Sequence, residues 1–205
     1  MAEIITVASR KGGVGKTTIA INMVIALSNK GKTLLVDADE QQSAMKWNKH
    51  RKEKIDAISI HKDLIAELEK LDGEYQYILI DVAGRDSEIF REALLISDKL
   101  IVPTQASLLD LDVIPYLNEK VKTAKKTNPN LVSMVVINRA STNAKSNETE
   151  QAREFVADYE EFKLLQTTLH ERKQYRDAII ESKSVLEMAA SKAKDELNKL
   201  IIEIL

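Results

Sequence analysis

The sequence predicts an α/β fold, a doubly wound and mostly parallel sheet with helices on both faces. Two observations carry this prediction. Short apolar runs alternate with longer segments of helical periodicity, which is the order that a parallel sheet with crossover helices requires. A glycine-rich run also separates the first apolar run from the first helical segment, as it does where a doubly wound sheet forms a ligand site. The 205 residues suit one domain over residues 1–205.

The elements follow from local patterns in chain order. The apolar runs predict strands at 4–8, 33–36, 57–60, 77–81, 99–103, 131–137 and 163–168. Helical periodicity predicts helices at 17–30, 41–54, 63–71, 87–97, 108–127, 148–158, 171–181 and 184–203. Gly31 should end the first helix, Pro115 should bend the fifth, and the composition of residues 141–147 predicts a mobile loop.

Residues 9–18 have the composition of a phosphate-binding loop, Ser-Arg-Lys-Gly-Gly-Val-Gly-Lys-Thr-Thr. The glycines allow backbone N–H groups to close around phosphate oxygens, and the following helix directs its positive end at the same anion. Lys16 supplies charge for the β- and γ-phosphates, and the Thr17 hydroxyl is placed to ligate Mg²⁺. This predicts a Rossmann-like P-loop NTPase, with a nucleotide held by Gly12, Gly13, Val14, Gly15, Lys16, Thr17 and Thr18.

A second lysine, Lys11, stands just before the glycines. This order resembles the deviant Walker A motif of the ParA/MinD class of ATPases, in which such a lysine reaches the phosphates on the other subunit of a dimer. The resemblance implies ATP and Mg²⁺ as cofactors, ATP hydrolysis, and an ATP-dependent homodimer, with higher assembly left open. It also implies catalytic roles for Lys11, Lys16 and Asp39.

Two further loops supply the remaining parts of an ATPase site. Asp81 ends an apolar strand and fits the Walker B carboxylate that holds Mg²⁺, the structural alternative being a cap for the next turn. Gly84 could offer its N–H to the γ-phosphate or be a simple turn glycine. Residues 37–41, Asp-Ala-Asp-Glu-Gln, resemble the family's Asp-x-Asp-Pro-Gln segment, in which Asp39 positions water and Asp37 supports the metal site.

That segment departs from the family pattern, because Glu40 replaces the usual proline. The loop should therefore be less rigid and more negative near the phosphates, so hydrolysis could be affected. The alternative for Asp39 is an N-cap of the helix beginning near Gln41.

The family holds adenine with groups near Pro103 and with an asparagine amide that matches Asn138. For Asn138 the alternative is a polar turn residue.

Composition limits the DNA contacts that the chain can make. The net charge of −2, the pI near 6.0 and 4% aromatic residues predict a local basic patch contacting phosphates, without base stacking. The absence of cysteine excludes an iron–sulfur reductase. Candidate DNA-binding residues are Arg172, Lys173, Arg176 and Lys199; the alternative is a solvated helix face balanced by Glu171, Asp177 and Glu196.

The C-terminal residues 168–178 and 184–187 resemble those of short ParA partition ATPases, ParF among them. The resemblance implies a plasmid or chromosome partition ATPase that binds DNA non-specifically. A ParB- or ParG-like centromere-binding adaptor would stimulate hydrolysis and release it. We expect the ATPase in the cytoplasm, and on the nucleoid when it holds ATP.

Two alternatives come from other classes. A MinD-like membrane ATPase would use the apolar stripe of the last helix, made by Leu197, Leu200, Ile201, Ile204 and Leu205. No stable membrane association is expected, because charged residues interrupt the polar face, aromatics are missing, and such a stripe usually docks on a core. A ligase resembling dethiobiotin synthetase is the third class, against which Lys11 argues.

Overall fold

The computed structural model describes residues 2–71, 73–84, 86–143 and 146–205, and within them one seven-stranded parallel sheet organises the chain. The strands are β1 (Glu3–Val7), β2 (Thr33–Ala38), β3 (Asp56–Ser59), β4 (Tyr77–Val82), β5 (Lys99–Thr104), β6 (Val132–Ile137) and β7 (Lys163–Leu164). Their order across the sheet is β3-β2-β4-β1-β5-β6-β7. This arrangement confirms the predicted doubly wound α/β fold.

Helices cover both faces of this sheet. They are α1 (Lys16–Ser28), α2 (Ser43–His50), α3 (Leu64–Glu69), α4 (Glu88–Ile96), α5 (Leu108–Leu111), α6 (Ile114–Ala124), α7 (Glu148–Ala157), α8 (Lys173–Ile180) and α9 (Lys192–Ile204). A 3₁₀ turn, Val185–Glu187, lies between α8 and α9.

The sheet separates two hydrophobic cores, which explains the continuous apolar runs. In β2, Leu34 and Val36 join the core under α3, α4, α6 and α7, while Leu35 joins the core under α1, α2, α8 and α9. Because successive side chains of a strand point to opposite faces, a strand covered on both sides must be apolar at consecutive positions. The cores leave the carboxyl ends of the strands to the loops.

Several predicted boundaries are wrong because the chain breaks where a cap or a tertiary contact intervenes. The helix expected over 108–127 is two helices, with Pro115 in the first turn of α6, where its missing N–H has no partner to lose. The last helix begins later, because Ser191 caps α9 by accepting from the N–H of Lys194.

Other predicted elements are shorter in the structure. The helix over 41–54 covers only Ser43–His50, and the strand over 163–168 pairs only at Lys163–Leu164. The helix over 171–181 begins at Lys173. In the loop expected at 141–147, residues 144 and 145 lie outside the described part of the chain. Each helix in the described ranges is too short or too polar to span a membrane.

Candidate functional site

The main cavity opens at the carboxyl ends of the strands and has a volume of about 890 Å³. Its walls are the loop after β1, the loops after β2 and β4, the end of β6 and the segment leading into α8. These loops converge because β2, β4 and β1 are neighbours in a parallel sheet, so their carboxyl ends share one edge. The site residues predicted on the first three of these loops therefore meet here.

The loop after β1 is built to receive an anion. None of its backbone N–H groups from Gly12 to Thr18 donates to another group in the described residues. Gly15 precedes α1 with a φ of 92°, and a Cβ there would lie 2.3 Å from Nδ2 of Asn138. A side chain is thus excluded at Gly15 by both conformation and space. Unpartnered amides at the start of a helix are a favourable environment for phosphate.

Lys16 lies inside this loop with 9% of its surface exposed. Its Nζ donates to the Lys11 carbonyl at 3.0 Å. Burial lowers the pKa of Lys16, and the nearby carboxylates of Asp81 and Asp39 oppose that shift. The lysine therefore lies between the loop and two acidic side chains.

Asp81 is the least satisfied polar group of the site. It is 1% exposed, and neither carboxylate oxygen has a partner of hydrogen-bond geometry among the described residues. Burial raises the pKa of Asp81 to about 7, partly opposed by the nearby Thr17 hydroxyl and the Lys16 ammonium. Such a carboxylate requires a cation or a proton.

The surroundings of Asp81 fit Mg²⁺ held together with a nucleotide. The described residues contain no group of three or more His, Cys, Asp or Glu side chains able to hold an ion by themselves. Mg²⁺ typically takes one or two protein oxygens and completes its shell with phosphate and water. Thr17, which lines the cavity, and Asp81 are the residues that suit this arrangement.

Both carboxylate oxygens of Asp37, which the sequence predicts to support the metal site, accept hydrogen bonds from the backbone. Asp37 faces Asp81 across paired strands, yet its two oxygens accept backbone N–H bonds, from Asp39 at 3.1 Å and from Met45 at 2.9 Å. Burial raises the pKa of Asp37, and those two hydrogen bonds oppose the shift. Asp37 therefore fixes the loop that carries Asp39 to the start of α2.

Asp39 lines the cavity beside Lys16, as expected. Its Oδ1 accepts from the N–H of Gln41 at 2.9 Å, which is an Asx turn within the loop. The helix starts only at Ser43, so Asp39 is not its N-cap. The structural alternative for Asp39 is thereby removed, and its Oδ2 makes no hydrogen bond among the described residues.

Gly84 approaches the phosphate loop so closely that a side chain there would displace the end of the Lys16 side chain. A Cβ there would lie 2.9 Å from Nζ of Lys16 and 3.4 Å from the carbonyl oxygens of Arg10 and Lys11. This favours a backbone contact over a simple turn. Lys11 itself is turned the other way: its Nζ donates to the Leu109 carbonyl at 2.9 Å and lies 3.8 Å from the Asp110 carboxylate.

The predicted adenine contacts are not brought together. Pro103 is buried within β5, paired with Val136, and does not line the main cavity among the described residues. Asn138 lines the cavity, but its Nδ2 donates to the Val14 carbonyl at 2.7 Å. Its neighbour Arg139, which the family resemblance places with Asn138 at the adenine site, donates to the Gly13 carbonyl at 2.8 Å. The sequence signal was its position directly after Asn138.

The predicted DNA-binding residues are divided by the structure. Arg172 precedes α8 instead of sharing a helix face with Arg176, and its half-buried guanidinium pairs with Glu196 at 2.5 Å. Lys173 and Arg176 keep exposed side chains, 78% and 63%, but pair with Asp177 and Glu171. Lys199 is exposed on α9. Arg172 thus lies outside the helix predicted over residues 171–181, because α8 starts at Lys173, two residues later.

The apolar stripe of α9 is used inside the protein. Leu197, Leu200, Ile201 and Ile204 are buried in the core beneath α1, and Leu205 packs against it. The membrane alternative therefore loses the feature on which it depended.

Comparison with known proteins agrees with this site. Over its whole length the chain is 30% identical to the maintenance of carboxysome distribution protein A of Halothiobacillus neapolitanus, covering 97% of that protein. It superimposes with a TM-score of 0.80 on a putative plasmid partition protein of Borrelia burgdorferi bound to AMPPNP, at 26% identity over 100% of this chain and 98% of that one.

A third similar structure is the septum site-determining protein MinD of Pyrococcus horikoshii with Mg-ADP. Its TM-score is 0.72, at 21% identity over 100% of this chain and 96% of that one, a level of identity that shows the shared fold alone. Residues 5–185 match the CobQ/CobB/MinD/ParA nucleotide binding domain. With a phosphate loop, a buried strand-end carboxylate and this match over most of its length, the chain belongs to the CobQ/CobB/MinD/ParA family, as a relative of its ParA and MinD members.

Proposed function

We propose that this chain is a Mg²⁺-dependent ATPase. The observation that carries the proposal is the unpartnered, buried Asp81 carboxylate beside a loop of unpartnered N–H groups in the described part of the chain. A magnesium nucleotide stabilises both at once, because its cation meets the carboxylate and its phosphates meet the amides. The similar proteins solved with AMPPNP and with Mg-ADP support this choice of ligand.

Each residue then has a task that follows from its position. Thr17 and Asp81 hold Mg²⁺, which neutralises phosphate charge when bound. Lys16 supplies a fixed positive charge, and the Gly84 N–H approaches the γ-phosphate of the substrate. Asp39, anchored by one oxygen only, orients the attacking water with the other. Lys11 would serve an ATP-dependent dimer, for which it must leave the Leu109 carbonyl.

The cargo that we propose is DNA, in plasmid or chromosome partition. Support comes from the similar partition protein of Borrelia burgdorferi and from the exposed cations Lys173, Arg176 and Lys199. In a dimer this surface would be doubled, and phosphate contacts would give non-specific, salt-sensitive binding. A ParB- or ParG-like adaptor would then stimulate hydrolysis and release the protein from the nucleoid.

A second candidate is the positioning of a protein body inside the cell. The full-length relative named for carboxysome distribution favours it. Both candidates require the same ATPase, and they differ in the adaptor that meets it.

The test is retention on random-sequence duplex DNA with ATP and Mg²⁺, against ADP and against no nucleotide. An Asp39→Ala background slows hydrolysis in all arms. We expect retention only with ATP, weakened by salt. Adding Lys173→Glu and Lys199→Glu should lower the salt slope by about four, as the loss of two phosphate contacts on each protomer of the dimer would. The matched control is Lys122→Glu with Lys126→Glu, two exposed lysines near the end of α6. Retention that is equal in all nucleotide states would refute the DNA proposal.

Stimulation of hydrolysis separates the two candidates. A centromere-bound adaptor that accelerates ATP turnover several-fold supports partition. A protein-body adaptor that does so without DNA-bound partners supports the second candidate. Absence of Mg²⁺-dependent ATP turnover with either would contradict the ATPase itself.

A further inference from the structure

The phosphate loop shows an asymmetry between its donors and its acceptors. The N–H groups from Gly12 to Thr18 have no partner in the described residues, whereas the carbonyls of Gly13, Val14 and Gly15 all accept. The Gly15 carbonyl accepts from Ile19 of α1, at 3.0 Å. The other two accept from side chains more than a hundred residues away, Arg139 and Asn138. Within residues 13–15 the described backbone hydrogen bonds are therefore all made through the carbonyls.

Holding the carbonyls also fixes the amides. In a trans peptide the C=O of one residue and the N–H of the next point in opposite directions. The bonds to the Gly13 and Val14 carbonyls consequently set the directions of the Val14 and Gly15 N–H groups. Those are loop amides that an anion at this helix N-terminus would meet.

The backbone at the end of β6 is shaped to present both donors to one loop. Successive side chains in extended chain alternate in direction, so neighbours would not normally reach the same target. Arg139 has a φ of 55°, in the left-handed region that a residue with a side chain rarely adopts. Backbone bonds between Ala140 and the 169–171 segment hold it there, at 2.9 and 3.0 Å. Strain kept by surrounding structure is a mark of a functional constraint.

A carboxylate completes the arrangement. Glu171 accepts from Nε of Arg139 at 2.6 Å and from Nη1 of Arg176 at 2.7 Å. It orients the Arg139 guanidinium, whose Nη1 then donates to the Gly13 carbonyl at 2.8 Å. The segment before α8 thereby takes part in holding a loop at the other end of the chain.

We propose that Arg139 and Asn138 form a clamp that keeps the phosphate loop in its anion-binding conformation, with Arg139 as a positioning residue oriented by Glu171. This inference rests on the proposed nucleotide site and adds to it two residues that act on the loop backbone. In the nucleotide-free protein the clamp resists local opening of the loop. Because the clamped loop already has its anion-binding conformation, its backbone has to rearrange less when phosphate binds.

The test combines affinity with a readout that needs no nucleotide. Calorimetry gives the affinity for Mg·ADP, and limited trypsin digestion of the nucleotide-free protein gives the rate of cleavage after Lys11, since cleavage follows the population of the opened loop. Arg139→Ala should weaken Mg·ADP binding about tenfold, the effect of losing one charge-assisted hydrogen bond. It should also speed cleavage after Lys11 several-fold, and Arg139→Lys should recover most of both.

The matched control is Arg153→Ala. Arg153 also donates to a backbone carbonyl, that of Leu165 at 2.9 Å, but does not line the cavity. Its loss should leave both readouts within about twofold of the wild type. Circular dichroism confirms that each variant folds.

Three outcomes would decide against the clamp or the site. Weaker Mg·ADP binding with unchanged cleavage would mean that Arg139 contacts the ligand directly, and the clamp would be wrong. Unchanged values in both readouts would also refute it. If the wild type binds no Mg·ADP, the proposed function fails, while the cleavage rates still decide whether Arg139 holds the loop.

Discussion

Replacing Asp81 by asparagine should stabilise the nucleotide-free protein at neutral and higher pH. The carboxyl has no hydrogen-bond partner among the described residues, and burial raises its pKa from 3.8 to about 7. A carboxyl whose folded pKa is raised contributes its stability below the unfolded pKa and loses it as the pH rises through the folded pKa. The free energy of unfolding of the wild type therefore falls, through ionisation of Asp81, as the pH rises from about 4 to about 7.

The magnitude follows from the shift. One pKa unit corresponds to about 1.4 kcal/mol, so ionisation of Asp81 lowers the free energy of unfolding by about 4 kcal/mol once the pH is above 7. About 3 kcal/mol of this loss occurs between about pH 5 and about pH 8. The asparagine leaves a buried amide unsatisfied, at a cost of about 1–3 kcal/mol. Asp81→Asn should thus be about 2 kcal/mol more stable than the wild type at about pH 8, and no more stable at about pH 5.

Urea unfolding without nucleotide measures both values. Asp37→Asn is the matched contrast, because the oxygens of Asp37 already accept from Asp39 and Met45 and an amide cannot replace both. That variant should lose about 1–3 kcal/mol at about pH 5, and a smaller amount at about pH 8 because the pKa of Asp37 is also raised. The reasoning is refuted if Asp81→Asn is less stable than the wild type at about pH 8, or if its advantage does not change with pH. Magnesium-dependent nucleotide binding should be lost in Asp81→Asn.

Three further predictions concern the site and its supports. Gly84→Ala should abolish ATP turnover while leaving the fold intact, since the Cβ would lie 2.9 Å from the phosphate-loop lysine; wild-type turnover would contradict this. Arg51→Ala should lower the free energy of unfolding by about 3 kcal/mol in urea, because Arg51 makes two 2.8 Å bonds to Glu187 and is almost fully buried. A loss below about 1 kcal/mol would count against it. Leu197→Ala should cost about 3 kcal/mol in the same assay, against almost nothing for exposed Ile202→Ala; equal losses would show that α9 is not docked.

The pair Arg51 and Glu187 carries a pH dependence of the opposite sign to that of Asp81. Burial by itself raises the pKa of Glu187, but the Arg51 and Ser184 hydrogen bonds outweigh it and hold the pKa below its usual 4.5. The pair therefore stabilises the protein above that value and is lost as the pH falls through the folded pKa. The Cζ of the same guanidinium lies 4.6 Å from the centre of the Trp47 ring. Contacts of Arg51 therefore join α2 to the 3₁₀ turn that precedes α9.

Much of the site could be predicted from consecutive residues. The phosphate loop with Lys16 is recognised from the residues that follow the first apolar run, and Asp81 from its place at the end of another. The structure brings them together as expected. The position of Asp39 followed from the same kind of local pattern. Boundaries were less predictable: the break between α5 and α6 and the late start of α9 depend on Pro115 and on the cap at Ser191.

What the sequence determined by itself is therefore the α/β order, the phosphate loop and the acidic ends of β2 and β4, because each depends on neighbours along the chain. The distant partner that each polar group meets depends on the tertiary fold. Asn138 and Arg139 donate to carbonyls of the phosphate loop, and Arg172 pairs with Glu196 instead of lying open. The strand order β4-β1-β5-β6 and the left-handed turn at Arg139 create these contacts, and hydrogen bonds across more than a hundred residues leave no periodic trace in a sequence.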